Sequence, residues 1–156
     1  MRIAVVIVNF NSGDLLARCI AHLERQSRPA DRVMVVDNHS ADHSLDALSM
    51  RPGVEIVRLE ENLGFAAANN IAFHELADTD YIITLNPDAF PEPDFIESLQ
   101  RAAERHPDCA SFATRMLRCD GRMDGAGDTY HVSGLVWRTG HGQRYQATDR
   151  DRKSVV

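Results

Sequence analysis

The run Ile3-Ala4-Val5-Val6-Ile7-Val8, closed by Asn9, constrains the fold more than any other feature. Six apolar residues without alternation, five of them β-branched, predict a strand covered on both faces, as at the centre of a parallel sheet. A strand with one wet face would alternate apolar and polar residues. The run is too short for a signal-peptide core of roughly 7–15 apolar residues, or for a membrane span of about 20.

The chain continues as that strand requires. Leu15, Leu16, Cys19, Ile20 and Leu23 follow the helical period behind Ser12, a candidate N-cap, and Pro29 closes the unit. A second strand is predicted over 33–36, then a polar turn and a short helix near 42–50. Arg51-Pro52-Gly53 is a turn before a third strand over 54–59. Asn62-Leu63-Gly64 opens a helix to about 76, and 81–85 is the fourth strand. Pro93 suits the first turn of a helix running to about His106, before Pro107. Alternation of this kind predicts an α/β fold, a mostly parallel sheet with helices on both faces.

Beyond Cys109 the character changes. Residues 110–117, the turn Asp120-Gly121 and residues 123–126 predict an antiparallel β-hairpin. Residues 120–142 hold six of the nine glycines, and 143–153 form a polar tail. The expected division is therefore an α/β core over 1–118 and a glycine-rich hairpin with an irregular tail over 119–156. Trp137 is expected to plug a core rather than stack on a sugar.

Seventeen Lys and Arg against 23 Asp and Glu leave a net charge of −6, which argues against nucleic-acid binding because that needs a basic face. It does not exclude a phosphorylated ligand held by a metal and backbone amides. The 44% hydrophobic and 26% charged residues are ordinary for a globular domain. Cys19, Cys109 and Cys119 form no CxxC pair, so neither a zinc site nor a disulfide framework is expected, and a reducing cytosol fits best.

In an open α/β sheet, ligands bind outside the carboxyl ends of the strands. Here those ends lead to Asn9-Phe10-Asn11, to Asp37-Asn38-His39-Ser40-Ala41-Asp42, to Asn62-Leu63-Gly64-Phe65 and to Asn86-Pro87-Asp88. Each Asn or Asp alone is an ordinary turn or cap residue. Their convergence on one edge predicts a polar ligand. Asp37 could accept hydrogen bonds from a nucleobase imide or a ribose hydroxyl, or cap the next helix, a task open also to Ser40 and Asp42. Gly64 permits close backbone approach before a helix whose amides favour anions, or is a plain turn after Asn62. Asn69 and Asn70 are poor helix formers in that helix's first turns, which suits a donor-facing role or solvent. Asp88 could hold Mg²⁺ or Mn²⁺ with substrate phosphates completing the octahedron, or close an Asx-turn. No G-x-G-x-x-G, phosphate-binding loop or G-x-S-x-G elbow occurs, which argues against a dinucleotide oxidoreductase, a P-loop enzyme and a serine hydrolase. Residues 9–13 also lack the glycine cluster and lysine of a nucleotidyltransferase.

Four blocks in order, residues 5–11, 35–42, 62–70 and 85–89, resemble the family 2 glycosyltransferases of GT-A fold, particularly their rhamnosyltransferase-like branch. The glycine-rich stretch over 120–143 is similar to the next segment of that branch. The resemblance implies inverting transfer of a sugar, possible donors being dTDP- or UDP-sugars with rhamnose favoured, to a glycan or lipid-linked acceptor. It implies that Val8 and Asn9 line the nucleotide pocket, that Asp37 binds the base, and that Gly64, Phe65, Asn69 and Asn70 pack against the nucleotide and its sugar. Asn86 and Asp88 fall on the family's Asp-x-Asp motif, with Asp88 bearing the divalent metal. Asn in the first position removes one charge. The general base lies later in such enzymes, so no residue is assigned to it; the chain is expected to be a partial catalytic domain, ending where the acceptor region begins. The alternative is a nucleotide-sugar-binding module without transferase activity. A cytoplasmic protein, peripheral at the inner face of the membrane, and a homodimer complete the expectation.

Overall fold

The computed structural model describes residues 1–48 and 51–144. Its centre is β1 (Ile3–Asn9), buried along its whole length. Strands β2 (Arg32–Asp37), β3 (Val54–Arg58) and β4 (Tyr81–Leu85) complete a parallel sheet in the order β3-β2-β1-β4. The unbroken apolar run is therefore a central strand, with Asn9 beside Asp37 and Ile7 beside Leu85.

Period-two alternation splits β1 between two cores. Ile3, Val5 and Ile7 pack with Leu16, Cys19, Ile20 and Leu23 of α1 (Asp14–Leu23) and Ile96 of α3 (Phe95–Arg105). Ala4, Val6 and Val8 pack on the other face with Ala68, Ala72 and Leu76 along and just past α2 (Phe65–Glu75). Helices thus cover both faces, as expected. Small side chains at 68 and 72, one turn apart, let α2 lie close against the sheet.

The elements differ from expectation at their ends. The helix near 42–50 is only a 3₁₀ turn at Asp46–Leu48 among the described residues. The first and second helices begin at Asp14 and Phe65, after glycines, rather than at Ser12 or Asn62.

Contacts divide the chain into two units, Met1–Arg101 and Ala102–Val156, with the division inside α3. Among the described residues, the second unit contains two antiparallel ribbons. The expected hairpin is present but short, β5 (Met116–Leu117) pairing with β6 (Met123–Gly125). A second ribbon joins β7 (Asp128–Tyr130) to β8 (Val136–Arg138). Glycine is required on steric grounds at Gly125, where a Cβ would stand 2.6 Å from the Arg138 side chain. Trp137 is no core plug: it lies half exposed on β8 against the His131 ring, because a two-stranded ribbon offers no interior.

Candidate functional site

The carboxyl edge of the sheet carries a polar network rooted in a fully buried side chain. Asn9 ends β1 and has no exposure to solvent. Its Nδ2 donates toward Asp37 Oδ1 at 2.7 Å, Ser44 Oγ at 2.9 Å and Ser40 Oγ at 3.0 Å. Its Oδ1 accepts from the Ser12 hydroxyl. An amide carrying two protons is thereby shared among three acceptors around the end of β2. Burial makes each of these partners necessary, since an unpaired polar group there costs about 1–3 kcal/mol.

That need explains why Ser12 does not cap α1. Its hydroxyl turns to Asn9, while Gly13 takes the cap position at φ 53° and no side chain bonds the first helical amides. The Ser12 carbonyl receives Leu15 N–H at 3.1 Å instead.

The β1 and β2 loops are locked together by Asn11, Ser40 and Asp42. Asn11 N–H donates to Ser40 Oγ at 3.0 Å, and Asn11 Oδ1 accepts from Ala41 N–H at 2.8 Å. Asp42 accepts from Gly13 N–H at 2.7 Å and from the Ser44 hydroxyl at 2.6 Å. The Ser44 hydrogen bond, helped by Gly13 N–H, holds the Asp42 carboxyl below its ordinary pKa. Asp42 also accepts from Ser44 N–H at 3.1 Å, and Asp37 Oδ2 accepts from Ser40 N–H at 3.2 Å, so both carboxylates close backbone turns here. Asn11 at φ 48° and His39 at φ 67° are the two non-glycine residues with left-handed backbone among the described residues. Both stand in these loops, where backbone strain commonly accompanies function.

On the other side of β2, Asn38 ties its loop to the turn before α2. Asn38 Nδ2 donates to Asn62 Oδ1 at 2.8 Å, and Asn38 Oδ1 accepts from Leu63 N–H at 2.9 Å. Gly64 N–H also donates to Asn62 Oδ1, so the turn after Asn62 is a side-chain-closed one. A Cβ at Gly64 would meet open space. The glycine is needed for its φ of 81°, not for a close approach within the chain. No side chain caps α2, so the amides of its first turn point past Gly64 without a side-chain acceptor.

Asn69 is buried in α2 and its Nδ2 donates to Phe65 O at 2.9 Å, but Asn69 Oδ1 has no partner. Asn70 and Phe65 are exposed. Val8 faces the α2 core, so only its backbone reaches the edge.

The loop after β4 presents Asn86 and Asp88 to solvent around a turn closed by Ala89 N–H on Asn86 O at 3.1 Å. Cys19 and His22 of α1, with Gln26 just past its end, fix this loop along its length. Cys19 Sγ donates to Asn86 O at 3.7 Å, His22 Nδ1 lies 3.2 Å from Pro91 O, and Gln26 Nε2 donates to Glu92 O at 2.7 Å. Gln26 Oε1 then accepts from Ile96 N–H at 3.0 Å, in the first turn of α3. Burial first, and the nearby Asp88 charge second, push the Cys19 thiol up to about 12, so it stays protonated. Phe90 is covered by the Arg18 guanidinium, 4.3 Å from the ring centre.

The structure therefore joins Asn9 and Asp37 directly, and sets Gly64, Asn69 and the Asn86–Asp88 turn after neighbouring strands of the same sheet. No hydrogen bond or ion pair links Asp88 to the Asn9–Asp37 cluster among the described residues. Sequence reading missed Asn38, Ser44, Cys19, His22 and Gln26 as parts of the scaffold. Asn38 had a usable signal, a second polar residue directly after a buried strand.

No group of three or more His, Cys, Asp and Glu side chains that could cage a metal occurs among the described residues. Asp88 with Asn86 nevertheless fits a cation brought with phosphates, since Mg²⁺ commonly takes only one or two protein carboxylates and keeps phosphate or water ligands.

A parallel sheet with both faces covered, its polar residues gathered at the carboxyl edge, defines an open α/β domain that takes its ligand at that edge. The chain belongs to glycosyl transferase family 2, whose family model matches residues 4–151. It is 28% identical over 130 residues to the N-acetylglucosaminyl-diphospho-decaprenol L-rhamnosyltransferase of Mycobacterium tuberculosis, covering 76% of this chain and 42% of that protein. It is 30% identical over 111 residues to glycosyltransferase GlyG of Streptococcus pneumoniae, covering 68% and 36%. The chain thus spans about two fifths of the curated relatives it matches. Among solved structures, Staphylococcus aureus TarS 1–349 in complex with UDP superposes with a TM-score of 0.62 at 20% identity, covering 69% of this chain and 33% of that one. The mannosyltransferase PcManGT of Pyrobaculum calidifontis, in complex with GDP-Man and Mn²⁺, gives 0.61 at 23% identity, covering 75% and 36%. Both likenesses concern the fold. No helix among the described residues is long and apolar enough to cross a membrane.

Proposed function

We propose that this chain is the donor-binding part of an inverting glycosyltransferase that takes a sugar from a nucleoside diphosphate, a dTDP- or UDP-sugar with rhamnose favoured. The observation that carries this reading is the Asn9–Asp37 contact at the sheet's carboxyl edge, flanked by the uncapped start of α2 and the exposed Asp88. Asp37 accepts from the base imide or a ribose hydroxyl, and Asn9 fixes the carboxylate's orientation from below. Val8 and Asn9 supply the floor of the nucleotide pocket. The amides beyond Gly64 face the diphosphate, where an uncapped helix start favours anions. Phe65, Asn69 and Asn70 pack against the nucleotide and sugar, and the unpartnered Asn69 Oδ1 is suited to a sugar hydroxyl.

In the reaction the acceptor oxygen bonds to the anomeric carbon as the bond to the diphosphate oxygen breaks, inverting the centre. The hydroxyl proton passes to a general base, to which no residue is assigned. The leaving diphosphate develops negative charge, which a divalent ion, if bound there, would offset. Asp88, with Asn86 beside it, is the residue that would hold such an ion. Cys19 and His22 of α1, with Gln26 just past it, keep that carboxylate's loop in place before substrate arrives.

The acceptor in this reading is a glycan or lipid-linked glycan, and the location is the cytoplasm at the inner face of the membrane. A homodimer belongs to the same reading, because β3 and β4 leave sheet edges that pair with no other strand among the described residues. Calorimetric titration with dTDP and UDP, with and without Mn²⁺, tests donor binding. Binding that tightens with Mn²⁺ and loses that gain in Asp88→Asn supports the reading. No binding of either nucleotide removes it. Donor turnover separates a transferase from a module that binds without reacting.

A further inference from the structure

Residues 1–101 contain eight arginines and no lysine. Six of them, Arg2, Arg25, Arg28, Arg32, Arg51 and Arg101, donate side-chain hydrogen bonds within the fold. Arg18 and Arg58 make no hydrogen bond or ion pair among the described residues. Arg58 is exposed at the end of the edge strand β3, and no ring orders its side chain among the described residues. Arg18 differs, because it is exposed and yet held.

The Arg18 guanidinium lies 4.3 Å from the centre of the Phe90 ring. That ring is fixed in turn. His22, one turn further along α1, packs tilted against it with centroids 5.4 Å apart, and His22 Nδ1 lies 3.2 Å from Pro91 O. Asp14, one turn before Arg18, is the ion-pair partner that a helix offers at this spacing. Arg18 does not take it, and the Asp14 carboxylate lies 3.4 Å from the His43 ring instead. Stacking on a ring uses the face of a guanidinium and leaves its five in-plane N–H donors open. The result is an ordered, unpaired donor fork whose supporting ring stands two residues beyond Asp88. Arg18 belongs to α1, on one face of the sheet, whereas α2, whose uncapped start is assigned to the donor's diphosphate, covers the other.

We propose that the Arg18 guanidinium, seated on Phe90, is a subsite for one phosphate group of the acceptor, on the α1 side of the Asp88 turn. A planar fork matches two phosphate oxygens at once, and a fork already held in place loses less freedom when it binds. The transfer brings two substrates to this edge. The donor's phosphates are assigned to the α2 side, so a second anion subsite on the α1 side belongs to the other substrate, a glycan joined to its lipid through phosphate. That attribution to the acceptor rests on the donor-site reading above; the anion subsite itself rests on Arg18 and Phe90 alone.

The test follows the arginine Nε–H signals of the ¹⁵N-labelled chain by NMR as glucose 1-phosphate is added at constant ionic strength. The Arg18 signal is identified by its loss in Arg18→Gln. The expected result is a saturable shift of that signal, repeated when UDP and Mg²⁺ are already present. Affinity for glucose 1-phosphate falls roughly tenfold or more in Arg18→Gln, and falls also in Arg18→Lys, which keeps the charge but not the fork. Both variants keep the wild-type far-UV spectrum, because the side chain is exposed. An unmoved Arg18 signal overturns the proposal, as does full affinity in either variant or an equal shift of every exposed arginine. Displacement of glucose 1-phosphate by UDP overturns it in favour of the donor's own diphosphate site. A chain that takes glucose 1-phosphate at Arg18 but binds no UDP overturns the attribution to an acceptor, because the donor reading has then failed on its own.

Discussion

Replacing Asn9 with leucine removes the root of the polar edge while keeping side-chain size. Leucine supplies none of the bonds that the Asn9 amide shares among Asp37, Ser40 and Ser44, nor the acceptor for Ser12. With two protons, Nδ2 makes at most two full donations, one of them to a carboxylate. A hydrogen bond to a charged group contributes about 1.5–3 kcal/mol and each neutral one about 0.5–1.5 kcal/mol. The loss of the Asp37 bond, one serine bond and the Ser12 bond together is about 2.5–6 kcal/mol. Little apolar gain offsets this, because the surroundings of the side chain are hydroxyls and a carboxylate. A domain of this size is stable by about 5–15 kcal/mol, so the loss is a large fraction. Urea unfolding followed by far-UV circular dichroism reads it as a lowered midpoint at unchanged slope. A loss under about 1 kcal/mol would refute the view that Asn9 anchors the edge, since that is no more than one ordinary hydrogen bond.

Other groups give further expected outcomes. Asp31, Asp42 and Glu55 are held below their ordinary pKa values, Asp31 first by Ile3 N–H, Asp42 first by Ser44 and Glu55 first by Arg32. Depressed folded-state values give stability that is present above the unfolded values and lost as pH falls through the folded ones, so unfolding titrations should show a decline from about pH 4 downward, shallower in Asp42→Asn. Cys19 behaves oppositely: its thiol is raised from 9.0 to about 12, so its contribution is full below pH 9 and is lost as pH rises toward 12. In native protein at about pH 8 a thiol reagent should therefore reach Cys119 readily and Cys19 only on unfolding, and rapid labelling of all three thiols would contradict its burial. Gly64→Ala should cost about 1–2 kcal/mol in the same urea assay through its φ of 81° alone, since the added methyl meets open space.

The sheet was legible because burial on both faces leaves an unbroken apolar run, as in β1, and because the α1 stripe keeps a strict 3.6-residue period. The polar strand ends were legible for the same reason, standing where those runs stop. The start of α1 was not, because whether Ser12 caps a helix or serves Asn9 depends on what burial demands of a neighbour. Trp137 misled because residue type alone does not say whether a second layer covers a ribbon. The anchoring of the Asp88 loop by Cys19, His22 and Gln26 joins positions 66 to 69 residues apart, beyond any local pattern.

The assignment of the sheet edge as a donor site stands or falls on a crystal structure of the chain with dTDP or UDP and Mn²⁺. The expected density places the base against Asp37, the diphosphate over the start of α2, and Mn²⁺ between its oxygens and the Asp88 carboxylate. A nucleotide bound away from the carboxyl edge of β1, β2 and β4, or a metal that leaves Asp88 untouched, would contradict it.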